Sequence, residues 1–265
     1  MITLRLLGRI SLTDPTGREI SSLLSQPKRM AVLAFLALQG KAGYLRRDLL
    51  MARFWAESDL FHARNALNQA LHILRAELGD GVVRTRGKNE VGLDPDLLDC
   101  DVWTFRAALR EGRIQEALEI YCGPLMPGFH VNGGGEFDRW LEAEREELRE
   151  AAAGASWILA HDYIRKGNLV KAERTAQRAL ALVWTDESPV RRFISALAEA
   201  GERAAAVRLY EKFRARLRDE LELEPSKPTQ EVAEAIRHGN GSAQKTTAIP
   251  GIPPSGLWQG SGAGR

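Results

Sequence analysis

Apolar residues stand at every second position at the start of the chain, first Ile2, Leu4 and Leu6, then Ile10 and Leu12. A period of two is that of a half-buried strand. With the turn signal TDPTG and the short run REISSL behind it, the segment predicts a small antiparallel sheet. The period then changes to that of a helix. PKRMAVLAFLALQ, residues 27–39, is nearly all apolar, with Pro27 suited to a first helical position and Gly40 to a stop. LRRDLLMARFW, residues 45–55, predicts a second, amphipathic helix, and in the connector AESDL either Ser58 or Asp59 can cap a third. After that third helix GDG turns the chain, VVRTR reads as a strand, GKN as a hairpin tip and EVGL as the return strand.

The third helix has two unlike faces. At about 100° per residue, Ala63, Ala66, Leu67, Ala70, Leu71, Leu74 and Leu78 share one arc, and Arg64, Asn65, Asn68, Gln69, His72 and Arg75 share the opposite one. A merely solvated face is usually built from Glu and Lys, yet here no acid occurs before Glu77. Amide side chains offer a donor and an acceptor together, which suits the N6/N7 edge of adenine, and Arg suits the O6/N7 edge of guanine. Arg64, Asn65, Asn68, Gln69 and His72 are therefore candidates for base readout. Arg84, Arg86 and Lys88 sit on the hairpin, and with Lys28, Arg29, Arg46, Arg47 and Arg75 they are candidates for contact with a nucleic-acid backbone. A helix-turn-helix followed by a cationic hairpin is the layout of a winged-helix DNA reader. The plain alternative is a solvated amphipathic helix beside an ordinary hairpin.

The second half of the chain follows a different pattern. Gly112 with Ala117, Gly167 with Ala172, and Gly201 with Ala206 repeat one signal, and the last two glycines lie 34 residues apart. Tyr163 and Leu197 match four residues before the glycine, and Ala179 and Phe213 match twelve after it. This is the period of tetratricopeptide-like helix pairs, in which Gly allows the turn and Ala the close approach. Such arrays form surfaces for protein partners.

Charge adds a mild asymmetry. Met1 to Cys100 holds 14 Lys and Arg against 11 Asp and Glu, a net +3, whereas Asp101 to Asn240 is net −3, within a total of +2. This permits a polyanion partner for the first half. No membrane span or signal peptide is evident, so a cytoplasmic protein is expected. Cys100 and Cys122 have no metal spacing and read as buried apolar fillers. Gly133 to Gly135 read as a loop, not a phosphate cradle, because no strand precedes them and no Lys-Ser/Thr follows. GNGSAQKTT only faintly echoes a nucleotide loop, and lies at the start of a Gly/Ser/Pro-rich tail, 241–265, expected to be disordered. Glu136, Asp138, Glu142 and Glu144 read as a solvated face with local ion pairs. No catalytic residue, metal or cofactor is expected.

The arrangement from Met1 to about Gly239 resembles the Streptomyces antibiotic regulatory protein (SARP) type of transcriptional regulator. The motifs that carry the resemblance are RNALNQALHILRAELGD leading into the hairpin, YCGPLMPGF at Tyr121 to Phe129 followed by FDRWLEAERE at Phe137 to Glu146, and LYEKFRARLRDELELEPSKPTQEV at Leu209 to Val232. Two features depart: the family's wing commonly ends in an aromatic-containing pattern where EVGL stands here, and its recognition helix often carries more Arg and Ser. The fold class expected is an α+β N-terminal winged helix-turn-helix domain, response-regulator-like by resemblance, over residues 1–96, then an all-α tetratricopeptide-like repeat domain over 97–240, a bacterial transcriptional activator domain by resemblance. The resemblance further implies a homodimer that binds direct repeats in double-stranded promoter DNA and helps RNA polymerase engage. The alternative is a tetratricopeptide adaptor whose N-terminal domain binds protein. A DNA reader loses affinity steeply with salt, and an adaptor need not.

Overall fold

The computed structural model describes residues 1–39, 41, 43–131 and 135–238. Gly40, Gly133, Gly134, GNGSAQKTT and the 241–265 tail lie outside the described residues. The chain divides into two compact units, Met1–Ser156 and Trp157–Arg265.

In the first unit β1 (Ile2–Arg5) pairs antiparallel with β2 (Ser11–Thr13), as the alternation predicts. REISSL does not form a further strand. Glu19 makes one bridge to Thr13, and Ser21–Leu24 is a short helix, α1, because Ile20 and Leu23, three apart, bury their side chains on one side. Next come α2 (Pro27–Leu38), β3 (Tyr44–Arg46), α3 (Arg47–Phe54) and α4 (Leu60–Leu78). Pro27 occupies the first turn of α2, and Met30 to Leu38 are all buried, the mark of a helix enclosed on every side. The second predicted helix loses its first two residues. Leu45 and Arg46 belong to β3, paired with a strand far along the chain, and the helix starts at Arg47.

The hairpin forms as predicted from β4 (Val83–Arg86) and β5 (Glu90–Leu93), with Gly87 at φ 59° in the turn. Its sheet has the order β3, β5, β4, with Leu45 opposite Val91. The chain then returns to the first sheet, where β6 (Leu98–Cys100) lies parallel to β1. A residue boundary at 96/97 therefore falls between β5 and β6 in chain order.

Helices α5 (Asp101–Arg110), α6 (Ile114–Ile120) and α7 (Gly135–Arg165) follow. Buried Asp101 accepts from the backbone N–H of Leu6 at 2.9 and 3.0 Å and of Leu7 at 3.0 Å, although burial pushes its carboxyl pKa above the usual range. Trp103 Nε1 donates to Ala37 O at 2.5 Å and Arg106 to Leu38 O at 2.9 Å, so side chains of α5 bond to carbonyls in the last turn of α2.

The two motifs of the middle of the chain pack on this frame. In YCGPLMPGF, Met126 N donates to Leu6 O at 2.7 Å and Gly8 N donates to Pro124 O at 2.9 Å. A Cβ on Gly123 would lie 2.9 Å from Gly8 Cα, so this crossing needs glycine. In FDRWLEAERE, Trp140 meets Phe35 at 4.5 Å and Phe137 meets Phe54 at 5.2 Å between ring centroids. Arg145 holds the loop, donating to Leu125 O, Met126 O and Phe129 O. Glu144 is not part of a solvated face: it is drawn inward against Arg106 at 2.8 Å, and burial raises its pKa. Cys100 is buried, its thiol pushed up to about 12 by that burial. Cys122 is exposed, contrary to expectation, because it sits in the turn after α6 with its thiol on Glu119 O.

In the second unit, α8 (Leu169–Leu182), α9 (Glu187–Glu199), α10 (Arg203–Leu221) and α11 (Lys227–His238) enclose a core of Phe193, Ile194, Leu197, Tyr210 and Phe213. The glycine signal is a repeated local geometry. Gly112, Gly167 and Gly201 have φ of 72°, 70° and 88°. Each glycine N–H donates three residues back and the next N–H five residues back, a Schellman-type helix end. Ala117, Ala172 and Ala206 are each fully buried in the helix that follows. The expected order, an α+β unit of winged-helix type and then helices alone, is the observed order.

Candidate nucleic-acid interface

Helix α4 begins with Asp59, whose side chain accepts from His62 N at 3.0 Å, so Asp59 and not Ser58 is the cap. Ala63, Leu67, Ala70, Leu71, Leu74 and Leu78 are buried, and Ala66 is half-buried at the edge of that stripe. Arg64, Asn65, Asn68, Gln69 and His72 face the opposite side. Arg75 is half-buried, and its Nε donates to Val83 O at 3.4 Å, bracing α4 against the hairpin.

Arg47, at the start of α3, donates from Nη1 to Asn68 Oδ1 at 2.7 Å. A guanidinium has no acceptor, so the atom facing it must be the amide oxygen, and the NH₂ of Asn68 is the end left to face outward. The Arg47 pKa is lowered by burial and by the positive charges of Arg75 and Arg64. Its Nε has no hydrogen-bond partner among the described residues. Arg47 thus feels two other guanidiniums beside Asn68, an arrangement that an incoming anion would relieve.

The hairpin cations are engaged to different degrees. Arg84 is ion-paired with Asp94, which is itself buried, so this arginine is committed to the fold. Arg86 pairs with Glu90 at 2.5 Å and lies over the Tyr44 ring at 4.8 Å, and the hydrogen bond from Arg86 to Glu90 raises the arginine's pKa. Lys88, at the tip, is exposed. Arg46 pairs with Asp48 at 2.9 Å. Lys28 lies over the Trp55 ring at 5.3 Å, and with Arg29, Gln26, Trp55 and Gln69 it lines a cleft of about 310 Å³ beside α4.

The pattern reading missed the first turn of this face. It began at Arg64, whereas α4 begins at Leu60 and Phe61 is exposed. The helical period carried back one turn would have found it. Asp94 and Tyr44, which hold the hairpin arginines, carry no local signal.

No group of His, Cys, Asp or Glu among the described residues is placed to hold a metal ion. No helix among them is long and apolar enough to cross a membrane.

The fold combines a hairpin-bearing helix-turn-helix with glycine-turned helical hairpins, the build of a modular regulator. Residues 100–237 match the model of the bacterial transcriptional activator domain, and the chain belongs to that family. This agrees with the SARP-type resemblance of its motifs. Among solved structures, that of Mycobacterium tuberculosis EmbR in complex with low affinity phosphopeptide is similar, with a TM-score of 0.64 and 21% sequence identity. The similarity covers 90% of this chain and 65% of that one. No curated protein matches the chain.

Proposed function

We propose that this member of a transcriptional activator family is a cytoplasmic, sequence-specific DNA-binding regulator. Residues 1–96 read double-stranded promoter DNA and residues 97–240 contact protein partners. In this reading two protomers bind direct repeats as a homodimer and assist RNA polymerase. The observation that carries the proposal is the outward stripe Arg64, Asn65, Asn68, Gln69 and His72 on a helix with no acid before Glu77, with Arg47 beside Asn68 and exposed Arg86 and Lys88 on the hairpin. Amides and arginines recognise base edges, and arginines and lysines recognise phosphates.

The test is a titration of the full chain on duplex DNA at several salt concentrations. The logarithm of affinity should fall linearly with the logarithm of salt, by about 0.9 for each phosphate neutralised. Arg86→Gln with Lys88→Gln should reduce that slope by about 0.9 for each phosphate the variant no longer neutralises, while leaving base preference unchanged. These two positions are chosen because Arg84→Gln would strand buried Asp94. Salt-independent affinity, or none, would favour the adaptor reading.

Base readout has its own test. Asn68→Ala should cost about 1–3 kcal/mol on the preferred site and relax preference at one base pair. Since Arg47 holds the Asn68 oxygen, the preferred base there should present an acceptor to the free NH₂. Unchanged preference in Asn68→Ala across a base-substitution series refutes this role for the side chain.

A further inference from the structure

We propose that Phe61 is a specificity-determining residue that packs against the 5-methyl group of a thymine in the major groove. The inference rests on the DNA-reading proposal and deepens it. Phe61 is the second residue of α4 and 69% exposed, beside Leu60 at 64%. Counting along the helix, Asn65, Asn68 and His72 follow at offsets of four, seven and eleven, so Phe61 stands within about 40° of each of them on one stripe. The buried stripe of Ala63, Leu67 and Leu71 occupies another side of the helix, and the ring of Phe61 cannot join that core. Among the described residues its one aromatic neighbour is His62, met edge-on at 5.8 Å between centroids.

A large apolar ring at the head of a polar stripe is the wrong choice for water and a fitting one for a groove. Of the four base edges in the major groove, only thymine presents a methyl carbon, and Phe is among the side chains that contact it. The N-terminal residues of a recognition helix are the ones that meet base edges in helix-turn-helix docking. Four residues at about 1.5 Å each put Phe61 about 6 Å along the helix from Asn65, against about 3.4 Å per base pair along the duplex, so the thymine lies one or two base pairs from the position that Asn65 reads.

The experiment uses the full chain on its preferred duplex, selected from random sequence. Each thymine in turn is replaced by deoxyuridine, which removes only the methyl group, and affinity is measured for the wild type and for Phe61→Ala. The wild type should lose about 4-fold at one thymine, the equivalent of one buried methylene-sized group. Phe61→Ala should bind the thymine and deoxyuridine duplexes equally well, and Phe61→Leu should retain part of the difference. Circular dichroism of both variants should match the wild type, because an exposed side chain is being changed. A wild type indifferent to deoxyuridine at every position overturns the assignment, as does a Phe61→Ala variant that keeps the wild-type ratio. A variant that keeps this ratio but fails to bind RNA polymerase would show that Phe61 serves a protein partner instead. Absence of any salt-sensitive duplex binding overturns the DNA-reading proposal and this assignment with it, whereas DNA binding without methyl sensitivity overturns this assignment alone.

Discussion

Leu71→Ala should destabilise the first unit by about 2–5 kcal/mol and abolish DNA binding through loss of folded protein. Leu71 is fully buried on α4 with Leu67 and Leu74, whereas Asn68 and His72 are exposed. Truncation removes its transfer free energy and leaves a cavity that α4, braced by the Arg75 contact to Val83 O and the Asp59 cap, has little freedom to collapse. Marginal stability of a typical domain, about 5–15 kcal/mol, means that such a loss consumes a large part of the whole. Denaturant unfolding followed by circular dichroism measures the effect. A variant that stays as stable as the wild type, yet prefers a different DNA sequence, would mean that the two faces of α4 are assigned the wrong way round.

Arg145→Ala should cost a comparable amount, about 2–5 kcal/mol, although Arg145 lies far along the chain from α4. Its guanidinium donates to three carbonyls of one loop, Leu125 O at 2.9 Å, Met126 O at 2.6 Å and Phe129 O at 3.0 Å. A hydrogen bond to a charged group contributes roughly 1.5–3 kcal/mol, and bonds that share one side chain add less than their sum. Without the arginine, the loop carbonyls would have to find water. The loop is also what holds the Leu6 to Gly8 backbone through Met126 N and Pro124 O, so its loosening should spread to the first sheet. Hydrogen exchange should therefore speed up at the amides of Gly8 and Met126 in the variant. Arg145→Lys, a point charge without the planar fork, should recover only part of the stability. A stability change under about 0.5 kcal/mol, the range of an ordinary surface substitution, would show that the three bonds are dispensable. The expected effect gives YCGPLMPGF and FDRWLEAERE a physical purpose: one is the loop, the other the helix that clamps it.

The candidate interface is partly legible in the sequence. Its outward stripe follows from the helical period of residues 63–78, since side chains three and four apart share a face whatever the rest of the chain does. The hairpin is legible for a similar reason, because GKN between two strand-like runs is a local turn signal. How free each cation is cannot be read there. Arg47 donates to a residue 21 positions away, and Arg84 is held by a buried carboxylate on Asp94, beyond the far strand of the hairpin. Phe61 escapes the pattern because the apolar period begins only after it, and helix ends are the least certain part of any periodic pattern.

The sequence by itself determined whatever is settled within a few residues of the chain. The two faces of α4, the hairpin tip and the turns at Gly112, Gly167 and Gly201 all rest on side-chain spacing or on one backbone conformation, and each is complete inside a short segment. Tertiary structure alone decided the pairings. β3 exists because Leu45 finds Val91, and without that ladder its residues would continue as the amphipathic helix their pattern suggests. β6 lies beside β1, and Asp101 accepts from Leu6 and Leu7, across as many as 95 residues. A three-residue strand has too few side chains to show a period and gains its hydrogen bonds only from a partner strand. A buried carboxylate likewise stays buried only where backbone donors from elsewhere in the chain converge on it, and such convergence is a property of the folded chain.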